Sequence, residues 1–155
     1  MRILTLLAML LSLSVTGQEI FTQGDYDACR PDSIFKNSPF FKEKGVAPKY
    51  TNSKTIQDYF RDKIGKIKTD NRKIVFKFVL TCEGEITDAW VFKSTGNETM
   101  DQQFIDEIKN FNFWTPATFD SRQVDFELTL LGAIKKKKIY LGSQMNTPKE
   151  FFEVN

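Results

Sequence analysis

The chain has 155 residues, one domain's worth of length, with 22 Lys plus Arg against 20 Asp plus Glu, no His, two Cys and fifteen Phe. Charged residues make up 27% and apolar residues 41%, near globular averages, which argues against wholesale disorder and a polytopic membrane protein, and a formal net charge of +2 gives no ground for nucleic-acid binding. Without His the commonest general base, the usual catalytic triads and most zinc sites are gone, so the expectation is a non-enzymatic protein with no catalytic residue, cofactor or metal.

Arg2 is followed by an apolar run over residues 3–15, and Val15-Thr16-Gly17 places small residues where a signal peptidase reads. At about 1.5 Å rise per residue this run spans roughly 20 Å, short of a hydrocarbon core about 30 Å thick. Residues 1–17 are therefore expected to be a cleaved signal peptide, with a soluble mature chain beginning near Gln18. Export changes how the cysteines read. In an oxidising compartment, with no CxxC and no His, a Cys29–Cys82 disulfide is expected; two free buried thiols or an intermolecular bridge are the alternatives. Closing a loop of about 50 residues stabilises by roughly 4 kcal/mol in the chain-entropy model.

Residues 18–50 carry Gly24, Pro31, Pro39, Gly45 and Pro48, which break every long periodicity and predict an irregular lead-in, too apolar at Phe35, Phe40 and Phe41 for a free linker, so that part of it packs on the domain behind it. Ile56, Tyr59, Phe60, Ile64 and Ile67 then recur at helical spacing, with Asn52 and Ser53 as capping candidates and Asp58, Arg61, Asp62 and Lys66 on a solvated face. Residues 73–81 switch to period two, Ile74, Phe76, Phe78 and Leu80 on one side and Val75, Lys77, Val79 and Thr81 on the other. Cys82-Glu83-Gly84 is a turn signal, and residues 85–93 return as the second strand of a hairpin.

Ser94-Thr95-Gly96-Asn97 ends that strand, and Thr99 with Gln102 suggests a capping box for a second helix that buries Met100, Phe104, Ile105, Ile108 and Phe111. After Pro116 and a turn at Asp120-Ser121-Arg122, residues 123–134 read as one strand, Val124, Phe126, Leu128 and Leu130 inward, Asp125, Glu127 and Thr129 outward. The order α-β-β-α-β over residues 51–134 predicts an α+β, two-layer domain: a small three-stranded antiparallel sheet with two helices packed on one face, followed by a basic C-terminal tail, residues 135–155. The lysines at 135–138 fit either a contact for anionic lipid or lipopolysaccharide headgroups or a solubilising gatekeeper beside an apolar strand. Trp90 and Trp114 fit a stacking platform for a ligand or ordinary core positions.

The order of these elements resembles the C-terminal domain of the TonB family, the energy-transducing periplasmic proteins of Gram-negative bacteria, over about residues 48–131. The residues that carry the resemblance are the strand from Ile74 to Leu80, the acidic-Gly turn Glu83-Gly84, Ile86-Thr87-Asp88-Ala89, the exit Ser94-Thr95-Gly96-Asn97, Met100-Asp101, and Trp114-Thr115-Pro116-Ala117, with Pro48-Lys49-Tyr50 upstream. The resemblance implies a periplasmic protein-interaction module associated with TonB-dependent transport across the outer membrane. In that family a transporter segment pairs with an exposed edge strand, an interaction made mainly by main-chain groups. The matching positions are Gln123, Val124, Asp125, Phe126, Glu127, Leu128 and Thr129. It also implies that a homodimer through strands is open to the chain. The family's His-containing anchor and long Pro-rich spacer have no counterpart in this sequence, so coupling to an inner-membrane motor is not carried over. The alternative is a secreted ligand-binding or peptidoglycan-binding domain that shares only the architecture, and association with a membrane surface is left open.

Overall fold

In the computed structural model the described residues are 34–143 and 148–154. The expected signal peptide, residues 18–33 of the lead-in and, with them, Cys29 lie outside them. The fold is α+β with antiparallel sheets, as the periodicities predict. The alternation after residue 72 forms β3 (Arg72–Leu80), and the returning hairpin strand is β4 (Ile86–Lys93). Gly84 turns the hairpin at φ +86°, and a Cβ there would stand 3.0 Å from the Trp114 carbonyl oxygen and 3.6 Å from Pro116 Cδ. Two of the segments that carry the family resemblance are thus packed against one another.

The helices at 56 and 98 form, with different caps. In α2 (Ile56–Lys63) the Thr55 hydroxyl, not Asn52 or Ser53, accepts the Asp58 N–H at 3.1 Å. In α3 (Glu98–Lys109) the Asn97 side chain accepts the Met100 N–H at 3.0 Å, so the helix begins before the Thr99–Gln102 box. Asp101, near its start, is buried and accepts the Ser94 hydroxyl at 2.5 Å and the Thr95 N–H at 2.8 Å, which locks the strand exit to the helix.

The strand expected over 123–134 is broken. Val124 closes β7 (Arg122–Val124), and the chain resumes as β8 (Phe126–Lys135). Asp125, between them, does not point to solvent: it is buried, and its Oδ1 accepts the Cys82 N–H at 2.8 Å. The expected tail is corrected as well, since it contains β9 (Lys138–Ser143) and α4 (Glu150–Glu153). The main sheet therefore has four strands, in the order β4-β3-β8-β9, instead of three. The lead-in and the 114–124 region add α1 (Pro39–Lys44), a sheet of β1 (Gly45–Val46), β6 (Ala117–Phe119) and β7, and a pair formed by β2 (Lys49–Tyr50) and β5 (Trp114–Thr115).

One face of the main sheet presents Ile74, Phe76, Phe78 and Leu80 to α2 and α3, with Phe76 and Phe104 rings 4.7 Å apart and Phe60 against Phe111 at 5.0 Å. Phe41 of α1, 1% exposed, joins them 4.8 Å from Phe126, as expected of a lead-in aromatic. The opposite face carries Val75, Lys77 and Val79 and is not bare. There α4 packs on β8, with Lys135 Nζ 2.6 Å from Glu153 and Lys73 Nζ 5.5 Å from the Phe151 ring centroid. Gly132, in the middle of β8, faces Ile74 on one neighbour and Leu141 on the other; a Cβ there would fall 2.5 Å from Leu141 Cδ2 and 2.7 Å from the Tyr140 carbonyl oxygen.

Candidate functional site: the borders of the sheet

The positions matched to a strand-pairing edge are not an edge. Gln123 and Val124 belong to β7, paired with Thr118 and Ala117 of β6. Phe126, Glu127, Leu128 and Thr129 open β8, which pairs with β3 from Phe126 to Ile134 and, from Leu130 onward, with β9 on its other side. The backbone of Phe35 closes the remaining side at Asp125 and Glu127: its N–H donates to the Asp125 carbonyl at 2.9 Å, and its own carbonyl accepts the Glu127 N–H at 2.8 Å. Glu127, expected to point outward, receives Lys77 Nζ at 3.0 Å and has Lys36 Nζ at 3.8 Å. Phe126 and Leu128 are core. β8 lost its border position because the basic run turns and sends β9 back along it.

The borders of the main sheet are β9 and β4. Because the Glu127 N–H points away from β3, the alternation of an antiparallel ladder fixes every other group. Leu141 presents its N–H outward from β9, where α2 meets it: Gln57 Oε1 accepts that N–H at 3.3 Å. On β4 the same logic sends the N–H and C=O of Asp88 and Trp90 toward β3 and those of Ala89 and Val91 outward. Among the described residues no backbone group meets Ala89 or Val91 on that side. Val91 and Phe92 are exposed, at 36% and 67%. Register shifts between Val79 and Leu80 and between Val75 and Phe76 bound this open stretch, so it is about four residues long.

The tryptophans do not line a common groove. Trp114 is 8% exposed among Tyr50, Phe111 and Phe78, whereas Trp90 sits half-buried on the far face beside Lys77. A depression of about 80 Å³ lies elsewhere, among Gly65, Lys66, Lys68, Asn97, Thr99, Met100 and Gln103. This is well below the few hundred Å³ of a typical small-molecule site. Among the described residues no group of three or more Cys, Asp or Glu is arranged to hold a metal ion, and no helix is long and apolar enough to cross a membrane. Cys82 is not a free thiol, while Cys29 lies outside the described residues.

Residue patterns alone do not mark the open border, although Phe92 beside Lys93 at a strand end is an apolar side chain that no core position claims. No family model, no curated protein and no solved structure matches this chain.

Proposed function

We propose that the chain is a secreted, non-enzymatic protein-interaction module of the TonB C-terminal type, acting in the periplasm with a Cys29–Cys82 bond, and that it holds an extended segment of its partner as an added strand on β4. The partner class is the one implied by the resemblance, an outer-membrane TonB-dependent transporter. The observation that carries the reading is the outward row of N–H and C=O groups at Ala89 and Val91 on a border strand: α3 packs against β4, yet no described backbone group meets these outward groups, whereas on β9 Gln57 of α2 accepts the outward Leu141 N–H. Such groups are satisfied by an incoming backbone with little demand on its side chains, and the exposed Val91 and Phe92 add apolar contact.

The test is capture from outer-membrane extracts with the chain as bait and Val91→Pro as its matched control. Proline removes an outward N–H that the fold does not use, so the variant folds and no longer pairs. A β-barrel transporter retained only by the unmodified bait, with amide exchange at Ala89 and Val91 slowed by a peptide from its periplasmic end, supports the reading. Equal recovery by both baits rejects strand addition at β4.

A further inference from the structure

The β8–β9 turn is built from Lys136 at φ 51° and Lys137 at φ 55°. Two-residue hairpin turns with both central residues left-handed favour Asn-Gly, because longer side chains crowd the backbone there. Another two-residue turn of this kind among the described residues uses short polar residues, Asp120 and Ser121. The lysine turn is fastened from outside, by Asp70 Oδ1 accepting the Lys137 N–H at 3.2 Å. That carboxyl is held below its ordinary range first by the Asn71 N–H and then by Lys137's. A strained turn that keeps lysine where Asn-Gly would relax it points to use of the charge.

Lys135 is committed to Glu153, which leaves Lys136, Lys137 and Lys138 exposed at the tip. The register brings Arg72 and Lys73 beside them, opposite Ile134 and Ala133, and Lys93 ends β4 on the same side of the molecule, opposite Val75. Glu150 and Glu153 of α4 and Asp70 are the acidic groups here. The far end of the β3–β4 hairpin carries the exposed Glu83 and Glu85, so a chain of nearly balanced charge is polarised along its strands. Two large apolar side chains protrude on the basic end: Phe92, 67% exposed with Lys77 Nζ 4.9 Å from its ring centroid, and Phe152, 72% exposed in α4. Both belong to the face of the sheet that carries Lys73, Lys77 and Lys135.

We infer that this end of the sheet, the Lys136-Lys137-Lys138 turn with Phe92 and Phe152, is a docking surface for an anionic bilayer, the lysines reaching headgroup phosphates and the two phenyl rings entering the interfacial layer. Cation clusters next to protruding aromatics have the chemistry of reversible attachment to such a surface. The site shares Phe92 with the strand border, but its lysines and Phe152 lie apart from the outward groups of Ala89 and Val91, so the lysine and Phe152 substitutions alter it alone.

The experiment is sedimentation of the purified chain with phosphatidylcholine vesicles, with and without phosphatidylglycerol, at low and high salt. Binding is expected to need the anionic lipid and to weaken with salt. Replacing all three lysines by Glu should lower affinity about a hundredfold or more. Phe92→Ser with Phe152→Ser should lower it about tenfold. The double variant Lys136→Asn with Lys137→Gly should melt higher than the parent yet bind less, which separates attachment from folding. No binding, equal binding to vesicles without anionic lipid, or unaltered binding by the lysine variants overturns the inference. Equally tight association with soluble dextran sulfate that ignores the Phe substitutions overturns the membrane assignment in favour of a polyanion.

Discussion

β9 and β4 border the same sheet, yet α2 lies along β9 and offers Gln57 to its Leu141 N–H, whereas β4 ends in solvent with Val91 and Phe92 uncovered. The difference lies in how the neighbouring helix meets each border, not in strand propensity: both have alternating apolar residues and a helix packed against them, α3 on β4 and α2 on β9, but among the described residues only α2, anchored by Phe60, places a side-chain acceptor on an outward N–H of its border. A border that is covered contributes stability and forfeits pairing; a border left open, kept short by irregular register at both ends, keeps its main-chain groups available without inviting long edge-to-edge association.

The comparison can be broken most severely at Phe60, which is fully buried against Phe104 and Phe111. Phe60→Ala should destabilise by about 3–5 kcal/mol, read from urea unfolding, and the amide of Leu141 should lose its protection first. A loss below about 1 kcal/mol would mean that α2 is not what secures β9. The next largest effect tests the orientation of β4. Trp90→Pro, whose N–H faces β3, should cost about 3 kcal/mol, whereas Val91→Pro next to it should cost less than about 1 kcal/mol while abolishing strand pairing. Equal destabilisation by the two prolines would reverse the assigned orientation.

Gln57→Ala should cost about 1 kcal/mol and speed exchange at Leu141 alone. The smallest effect concerns Asp88, whose carboxyl is raised above its ordinary value by burial, against the pull of Lys109. A carboxyl with a higher value in the folded state opposes folding when ionised. Asp88→Asn should therefore raise the unfolding midpoint slightly at neutral pH, and the difference should vanish as pH falls below the unfolded value near 3.8.

Much of the fold is written locally. The alternation from Ile74 to Leu80 and the helical spacing from Met100 to Ile108 survive intact because both are long and strongly periodic. Ser38 and Pro39 also carried a readable start signal: the Ser38 hydroxyl accepts the Phe41 N–H at 3.2 Å and Pro39 sits at the first helical position, but the surrounding Pro and Gly masked so short a helix. What was illegible is non-local. Asp125 obeys the alternation of an outward residue, and what meets its buried carboxylate, the Cys82 N–H, comes from 43 positions away. β9 was hidden because a turn made of two lysines has none of the Gly or Asn marks that announce a hairpin, so Ile139 and Leu141 read as part of a tail. Without β9, β8 stands at the border, and Glu127 reads as an outward residue instead of a partner for Lys77.

Gly132 decides that arrangement by volume alone. The space its missing side chain leaves is filled by Leu141 from one neighbour and approached by Ile74 from the other. Any bulkier residue would act as a wedge at the seam between β8 and β9, and because β9 is joined to β8 only through a two-residue turn, it would lift away as a flap. The sheet would then hold three strands, with Leu131, Ala133 and Lys135 on its rim. The smallest side chain in the structure thus sets how many strands the sheet holds, and with that count, on which flank of the molecule another backbone can attach.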